Sequence, residues 1–275
     1  MKVAALDGRL TISVDDRWVD VADASHGRFS PDPMGAYERW DELLAWSTSA
    51  EASSGPTAVG SPGVPVPRPR QMFAIGLNYR EHAAESGFDI PEHPVVFGKF
   101  QSSLTGQGAT VRLPSDGVDW EVELVVVIGH EAHQVAPEKA WDHVAGLTIG
   151  QDLSWRAVQT RGPAPQFSIG KSYPGFSPVG PWVVTSDELD DRDDLRISCS
   201  LDGEVLQDGR TSDLIFPVAD LVSRLSSSLT LYPGDLIFTG TPSGVGIGRD
   251  PRRFLVPGTL VSSIEGLGEL SISLV

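Results

Sequence analysis

The stretch Asp119-Trp-Glu-Val-Glu-Leu-Val-Val-Val-Ile128 limits the possible folds more than any other part of the chain, because it sets carboxylates at the mouth of a strongly apolar run. Residues 125–128 read as a buried strand. Side chains alternate faces along a strand, so Glu121 and Glu123 point the same way, with α-carbons roughly 6.5–7 Å apart. They can converge on one cation. Like charges side by side at the start of a buried element are costly unless something positive lies between them, and an all-oxygen ligand set suits magnesium, manganese or calcium. Asp152 offers a third carboxylate, since it follows another apolar run, residues 144–149, and so also falls at a strand end. The same spacing fits a solvated strand edge on which Glu121 and Glu123 pair with Arg or Lys. Spacing alone does not choose between the two.

Charge narrows what such a site could serve. With 21 Lys and Arg against 37 Asp and Glu the formal charge is −16, which argues against nucleic acid and anionic membranes as partners. An anionic substrate would need a local positive site, a metal or clustered Lys and Arg, because the global field repels it. Cys199 is the sole cysteine, so there is no intrachain disulfide and no cysteine-based zinc site. The opening Met1-Lys-Val-Ala-Ala-Leu-Asp7 breaks too early for a signal peptide, and no apolar run approaches the ~20 residues of a membrane span. A cytoplasmic protein is expected.

Residues 2–6, 9–14 and 18–21 are short, β-rich and separated by Asp-Gly and Asp-Asp, which predicts a small meander. A helix is expected over residues 36–46, where Ala36, Trp40, Leu43, Leu44 and Trp46 recur at helical spacing. Residues 47–69 are rich in Ser, Ala, Gly and Pro and read as a linker. The expected division is therefore a small N-terminal domain with its linker, residues 1–69, and a larger domain, residues 70–275. In the latter, strands dominate and helices are expected only over residues 79–86, 137–143 and 220–227. That pattern favours a mixed β architecture over a doubly wound sheet.

Several nucleotide and hydrolase motifs fail. Gly170-Lys171-Ser172 lacks the first glycine of a phosphate-binding loop, Pro165 standing there, and Gly244-Val-Gly-Ile-Gly248 runs into Arg249-Asp-Pro rather than a helix. His130-Glu-Ala-His133 has the wrong spacing for a zinc protease, and no Gly-x-Ser-x-Gly elbow exists. What remains is polar residues at element ends. His82 and Glu85 lie three apart, on one helical face and within hydrogen-bonding reach, as a general-base pair requires, although an exposed helix pair is the commoner meaning of that spacing. Lys99 follows the apolar Val95-Val-Phe97, and Lys171 sits between Ser168-Ile-Gly170 and Tyr173-Pro-Gly175.

The order of the pieces is more telling than any one of them. Asn78-Tyr79 with His82 and Glu85, then Lys99, Glu121-Val-Glu123, Asp152-Leu-Ser-Trp-Arg156, Gly170-Lys171-Ser172, Gly180-Pro181 and Gly240-Thr-Pro-Ser-Gly-Val-Gly246 occur in sequence. This resembles the catalytic domain of the fumarylacetoacetate hydrolase family over residues 72–275. The resemblance implies an α+β fold, a mixed β-sandwich roll behind a small N-terminal β-rich domain. It implies a divalent cation, magnesium or manganese and in some members calcium, on Glu121, Glu123 and Asp152. His82 and Glu85 match the water-activating dyad of acylpyruvate-type members, on a segment that often orders as a lid, here residues 79–93 with a hinge in residues 86–91. Lys171 matches a lysine that contacts substrate or stabilises negative charge. Asn78, Tyr79, Lys99, Arg156, Gln159 and Thr241 fall at substrate-binding positions. A homodimer is expected, as is common in the family. Three positions depart from the pattern: Ile75 replaces a fourth carboxylate ligand, Phe100 a proline, and Gln151 an asparagine.

A 2-oxo acid chelating such a cation through its carboxylate and ketone oxygens would use the metal as an electron sink. The leading expectation is a metal-dependent hydrolase that breaks the C3–C4 bond of 2,4-dioxo acids of acylpyruvate type through an enolate. Oxaloacetate-type decarboxylation, and hydration or isomerisation of unsaturated 2-oxo dioic acids, are the alternatives. A non-catalytic module stapled by the cation would leave Lys171 and the His82–Glu85 pair without a purpose.

Overall fold

The computed structural model describes residues 1–275 apart from Ser86, Phe88, Ser115 and Asp116. Ser86 and Phe88 belong to the expected hinge, which in that part lies outside the described residues.

Strand Val122–Ile128 is buried at every position because it is sandwiched on both faces. Its even-numbered residues Val122, Leu124, Val126 and Ile128 face one core, and Val125 and Val127 face another. Along the sheet it pairs antiparallel with Val144–Gln151 on one side and with Leu236–Phe238 on the other. Leu236–Phe238 runs parallel to Met72–Gly76, and Val95–Gly98 closes that edge. In the other direction Val144–Gln151 pairs with Ser177–Val184, whose far side receives Lys2–Leu6, then Arg9–Val14 and Arg17–Asp20. A second sheet, containing Arg196–Leu201, Glu204–Arg210, Gly258–Ile264 and Gly268–Leu274, packs with helix Val218–Ser228 on the even-numbered face. The result is the mixed α+β architecture expected from the strand pattern.

The odd-numbered face is covered by the N-terminal segment. Trp40, Leu43 and Trp46 lie in one core cluster with Val125, Val127, Val183 and Phe238. The expected helix over residues 36–46 divides into Met34–Glu38 and Trp40–Ser47, because Arg39 leaves helical geometry at φ −135 and ψ 44. The Ser/Gly/Pro-rich stretch carries a short helix, Ala50–Ser54, capped by Ser49, and residues 137–143 form a 3-10 turn rather than an α-helix. No helix among the described residues is long and apolar enough to cross a membrane.

This arrangement sets the site. Glu123 lies on the odd face with Val125 and Val127, but at the strand mouth, where a cavity opens instead of the N-terminal helices. Because residues 1–69 share a core with the central strands, a piece comprising residues 70–275 would expose Val125, Val127 and Phe238. Such a piece is expected to aggregate or to lose its cooperative urea transition; a soluble piece with a sharp transition would contradict the shared core.

Candidate active site

Glu121, Glu123 and Asp152 come together as the sequence predicts: one carboxylate oxygen from each lies within 4.8 Å of the others, and all three residues are buried. Strand period brings in the first two. Asp152 arrives from the end of the neighbouring strand Val144–Gln151, and its N–H donates to Glu121 O at 2.9 Å. Gln151 reinforces this corner, accepting from Glu121 N at 3.1 Å and donating to Ser262 Oγ at 2.9 Å. The departure at Gln151 thus leaves a buried bracket in place.

The carboxylates are held by cations from distant parts of the chain. Lys171 Nζ donates to Glu121 Oε2 at 2.6 Å and Asp152 Oδ2 at 2.7 Å. Arg156 Nη2 lies 2.7 Å from both Asp119 Oδ2 and Glu121 Oε1, while its Nη1 donates to Gln159 Oε1 at 2.9 Å. Burial alone would raise the Glu121 acid, but Lys171 and Arg156 bring it down to about 2. Burial opposes the Lys171 charge as well, yet Asp152 and Glu121 outweigh it and hold its pKa above the ordinary lysine value. Glu123 has no such partner. Burial, then Asp152 and Glu121, push its acid well above the usual carboxylate range, and its one hydrogen bond comes from Gly240 N at 2.8 Å.

That imbalance is the test of a metal. Four buried carboxylates, counting Asp119, meet two buried lysines and one buried arginine. The set is short of positive charge, and the shortfall falls on Glu123. A hard dication on clustered oxygens removes it, so the donor set fits magnesium or manganese.

A cavity of about 560 Å3 opens beside the triad. Glu121, Glu123, Lys171, Arg156, Gln159 and Thr241 line it, as do His82 and Glu85. The dyad is formed: His82 Nδ1 and Glu85 Oε1 are 2.8 Å apart on helix Arg80–Glu85. Glu85 Oε2 accepts from Gly244 N at 2.9 Å, which ties the dyad to the glycine-rich loop. Thr241 Oγ1 donates to Val122 O at 2.9 Å and accepts from Gln207 Nε2 at 2.7 Å. Asp119 fastens the end of that loop, accepting from Gly246 N at 2.7 Å and Ile247 N at 3.0 Å. Only glycine fits at 246, where an added Cβ would stand 1.8 Å from Arg253 O.

Three expected substrate-binding residues lie away from the cavity wall. Lys99 is sealed behind Asp152, its amine donating to Asp152 Oδ1 and to the carbonyls of Lys171 and Phe176, and burial lowers its pKa despite that carboxylate. Its amine is spent on Asp152 and backbone carbonyls behind the cavity wall. Asn78 clamps distant backbone, with Nδ2 donating to Thr239 O at 2.7 Å and Phe216 O at 3.1 Å. Tyr79 is buried, and its hydroxyl has no partner among the described residues. In the other direction, sequence reasoning passed over Asp119, Gln207 and Arg252. Asp119 sits two residues before Glu121 and so shared the strand-period signal. Gln207 gave none, since its partners Val122 and Thr241 are remote in sequence.

Comparison with known proteins agrees with this geometry. The fumarylacetoacetate (FAA) hydrolase C-terminal family matches residues 71–275, and the chain belongs to that family. Among curated proteins it is 44% identical over 207 residues to the human mitochondrial oxaloacetate tautomerase FAHD2A, covering 74% of this chain and 66% of that one. It is also 44% identical over 233 residues to a 2,4-didehydro-3-deoxy-L-rhamnonate hydrolase of Sphingomonas sp. (strain SKA58), covering 82% and 81%. A Mycobacterium smegmatis crystal structure carrying the provisional name HpcE is 52% identical, with TM-score 0.94 over 100% of this chain and 99% of that one. Maleylpyruvate hydrolase from Sphingobium sp. SYK-6, solved with manganese(II) and pyruvate, is 27% identical with TM-score 0.80, covering 100% and 99%.

Burial and the neighbouring carboxylates push the Glu123 acid upward, so a cation there competes with protons. Manganese affinity measured by calorimetry is expected to weaken as pH falls, with proton uptake by buffer accompanying binding. Glu123→Gln, which mimics the protonated acid, should lower affinity by at least about 100-fold while the protein stays folded, a first-ligand loss exceeding that typical of outer-shell changes. Unchanged affinity in this variant would remove Glu123 from the ligand set.

Proposed function

We propose that the protein is a divalent-cation-dependent hydrolase that cleaves the C3–C4 bond of 2,4-dioxo acids of acylpyruvate type. The observation that carries this reading is that the His82–Glu85 pair opens into the same cavity as Glu121 and Glu123, two of the three clustered carboxylates. Glu121, Glu123 and Asp152 would hold the cation. When bound, the cation supplies Lewis acidity that draws electron density from the 2-oxo carboxylate head of the substrate.

The dyad does the proton work. An ionised Glu85 accepts from His82 Nδ1–H, which leaves Nε2 as the free base. His82 Nε2 takes a proton from water as the water oxygen attacks the C4 carbonyl. The tetrahedral adduct collapses, the C3–C4 bond breaks, and its electron pair moves onto the C3–C2–O unit as an enolate. His82 returns its proton to C3, giving pyruvate, and the other fragment leaves as a carboxylate. Lys171, buried and charged beside the cavity, stabilises the developing negative charge. Phe97, Phe167 and Ile247 give the wall an apolar part that suits the carbon chain of the substrate.

A second reading is tautomerisation or decarboxylation of oxaloacetate, favoured by the 44% identity to the human tautomerase. Tautomerisation needs a base that moves a proton at C3, and decarboxylation needs mainly the electron sink. Neither needs a nucleophile at C4. The readings separate on His82: His82→Ala should slow acetylpyruvate cleavage by about 10²–10⁴-fold while oxaloacetate decarboxylation falls less. Steady-state kinetics on both substrates with saturating magnesium or manganese tests this. Wild-type protein that cleaves neither acetylpyruvate nor an acylpyruvate carrying a second, terminal carboxylate would overturn the hydrolase in favour of the oxaloacetate chemistry.

A further inference from the structure

The run Arg249-Asp-Pro-Arg252-Arg253 follows the glycine-rich loop, and its three arginines have different fates. Arg249 Nη2 donates to Leu206 O at 2.7 Å, and the guanidinium lies 5.2 Å from the Trp120 ring centre. Arg253 forks onto Glu204, with Nη2 2.8 Å from Oε2. Arg252 is exposed, lines the cavity, and has no hydrogen-bond or ion-pair partner among the described residues. Glu85, which lines the same cavity, bonds His82 and Gly244 N instead.

The other cations on the cavity wall differ in this respect. Arg156 and Lys171 are buried and already matched by Asp119, Glu121 and Asp152. Among the described residues, Arg252 is thus the lining arginine or lysine that no carboxylate of the chain neutralises. In a protein of formal charge −16, an uncompensated guanidinium at the mouth of a cavity is a place for an anion brought from outside. Arg252 is exposed where the triad carboxylates are buried, and Leu77, Phe97, Phe167 and Ile247 line the same cavity. The combination of surfaces, a polar head site, apolar sides and a free guanidinium, is that of a pocket for a molecule charged at both ends.

We propose that Arg252 binds a second carboxylate at the far end of the substrate, so that the cavity selects 2-oxo dioic acids over 2-oxo acids with neutral tails. The planar guanidinium suits a terminal carboxylate bidentately. About 560 Å3 lies within the range of pockets that enclose small ligands. The proposal rests on the 2-oxo acid reading of the head site, and it does not depend on which bond is broken.

Calorimetric titration with 2-oxoadipate and 2-oxohexanoate, at fixed manganese concentration, isolates the terminal carboxylate because the two ligands share a chain length. Wild-type protein should bind 2-oxoadipate roughly tenfold or more tightly. Arg252→Gln should bring that ratio near one, and Arg252→Lys should restore part of it. Added salt should narrow the wild-type ratio. Arg252 is exposed and has no hydrogen bond or ion pair among the described residues, so circular dichroism should show the variants folded. Equal affinities in the wild type, or a preference that survives Arg252→Gln, would overturn the assignment. If neither ligand binds, the 2-oxo acid reading falls and takes this one with it. A preference for 2-oxoadipate without cleavage of any acylpyruvate, with or without a terminal carboxylate, would remove only the hydrolytic step.

Discussion

The structure depends on a shortage of positive charge in a buried place. Asp119, Glu121, Glu123 and Asp152 sit where water cannot solvate them, and an unpaired ion there is among the largest single penalties a fold can carry. Each cation that answers them comes from a different part of the chain: Lys99 from just beyond the edge strand Val95–Gly98, Lys171 after a short helix, and Arg156 from the turn after Asp152. Removing one partner of such a pair costs about 3–5 kcal/mol, since it strands the other. The pairs therefore act less as a source of stability than as a specification of how the strands must meet. The uncompensated remainder at Glu123 is the physical reason for a dication.

The same constraint links fold to chemistry. The interior of a sheet sandwiched on both faces is dry, and at the mouth of the Val122–Ile128 strand the covering layers part to leave a cavity. Charges held at that opening act in a medium of low polarisability, where their effect on a reacting carbonyl exceeds what it would be in water. The glycine-rich loop completes the wall. Its backbone approaches closely because Gly240, with φ +100, and Gly246 carry no Cβ, and Asp119 and Glu85 hold its N–H groups. One loop thereby connects the buried charges to the dyad.

How much of this could be read from the sequence follows from the range of the interactions. The Glu121–Glu123 pair is a consequence of strand period, and the His82–Glu85 pair of helical spacing; both are local, and both stand in the structure as the spacing implies. Asp152 needed only the assumption that two apolar runs end together, which their antiparallel pairing fulfils. For Asn78 and Lys99 the family resemblance implies substrate contact, while the structure places them behind the cavity wall. Their partners lie far along the chain, Asn78 reaching Thr239 across 161 positions, and no periodicity reports such a contact. The break at Arg39 in the expected helix is likewise set by the packing of Trp40 and Tyr37 in the N-terminal core and not by a helix-breaking residue.

The central claim is that one cation belongs among Glu121, Glu123 and Asp152, beside the dyad. Anomalous diffraction from crystals grown with manganese and the 2-oxo acid mimic oxalate tests it most directly. The account predicts a single strong manganese peak bounded by carboxylate oxygens of those three residues, with oxalate bound to it on the side facing His82. A site without a peak, Lys171 still bridging Glu121 and Asp152, or manganese bound elsewhere in the chain would contradict it.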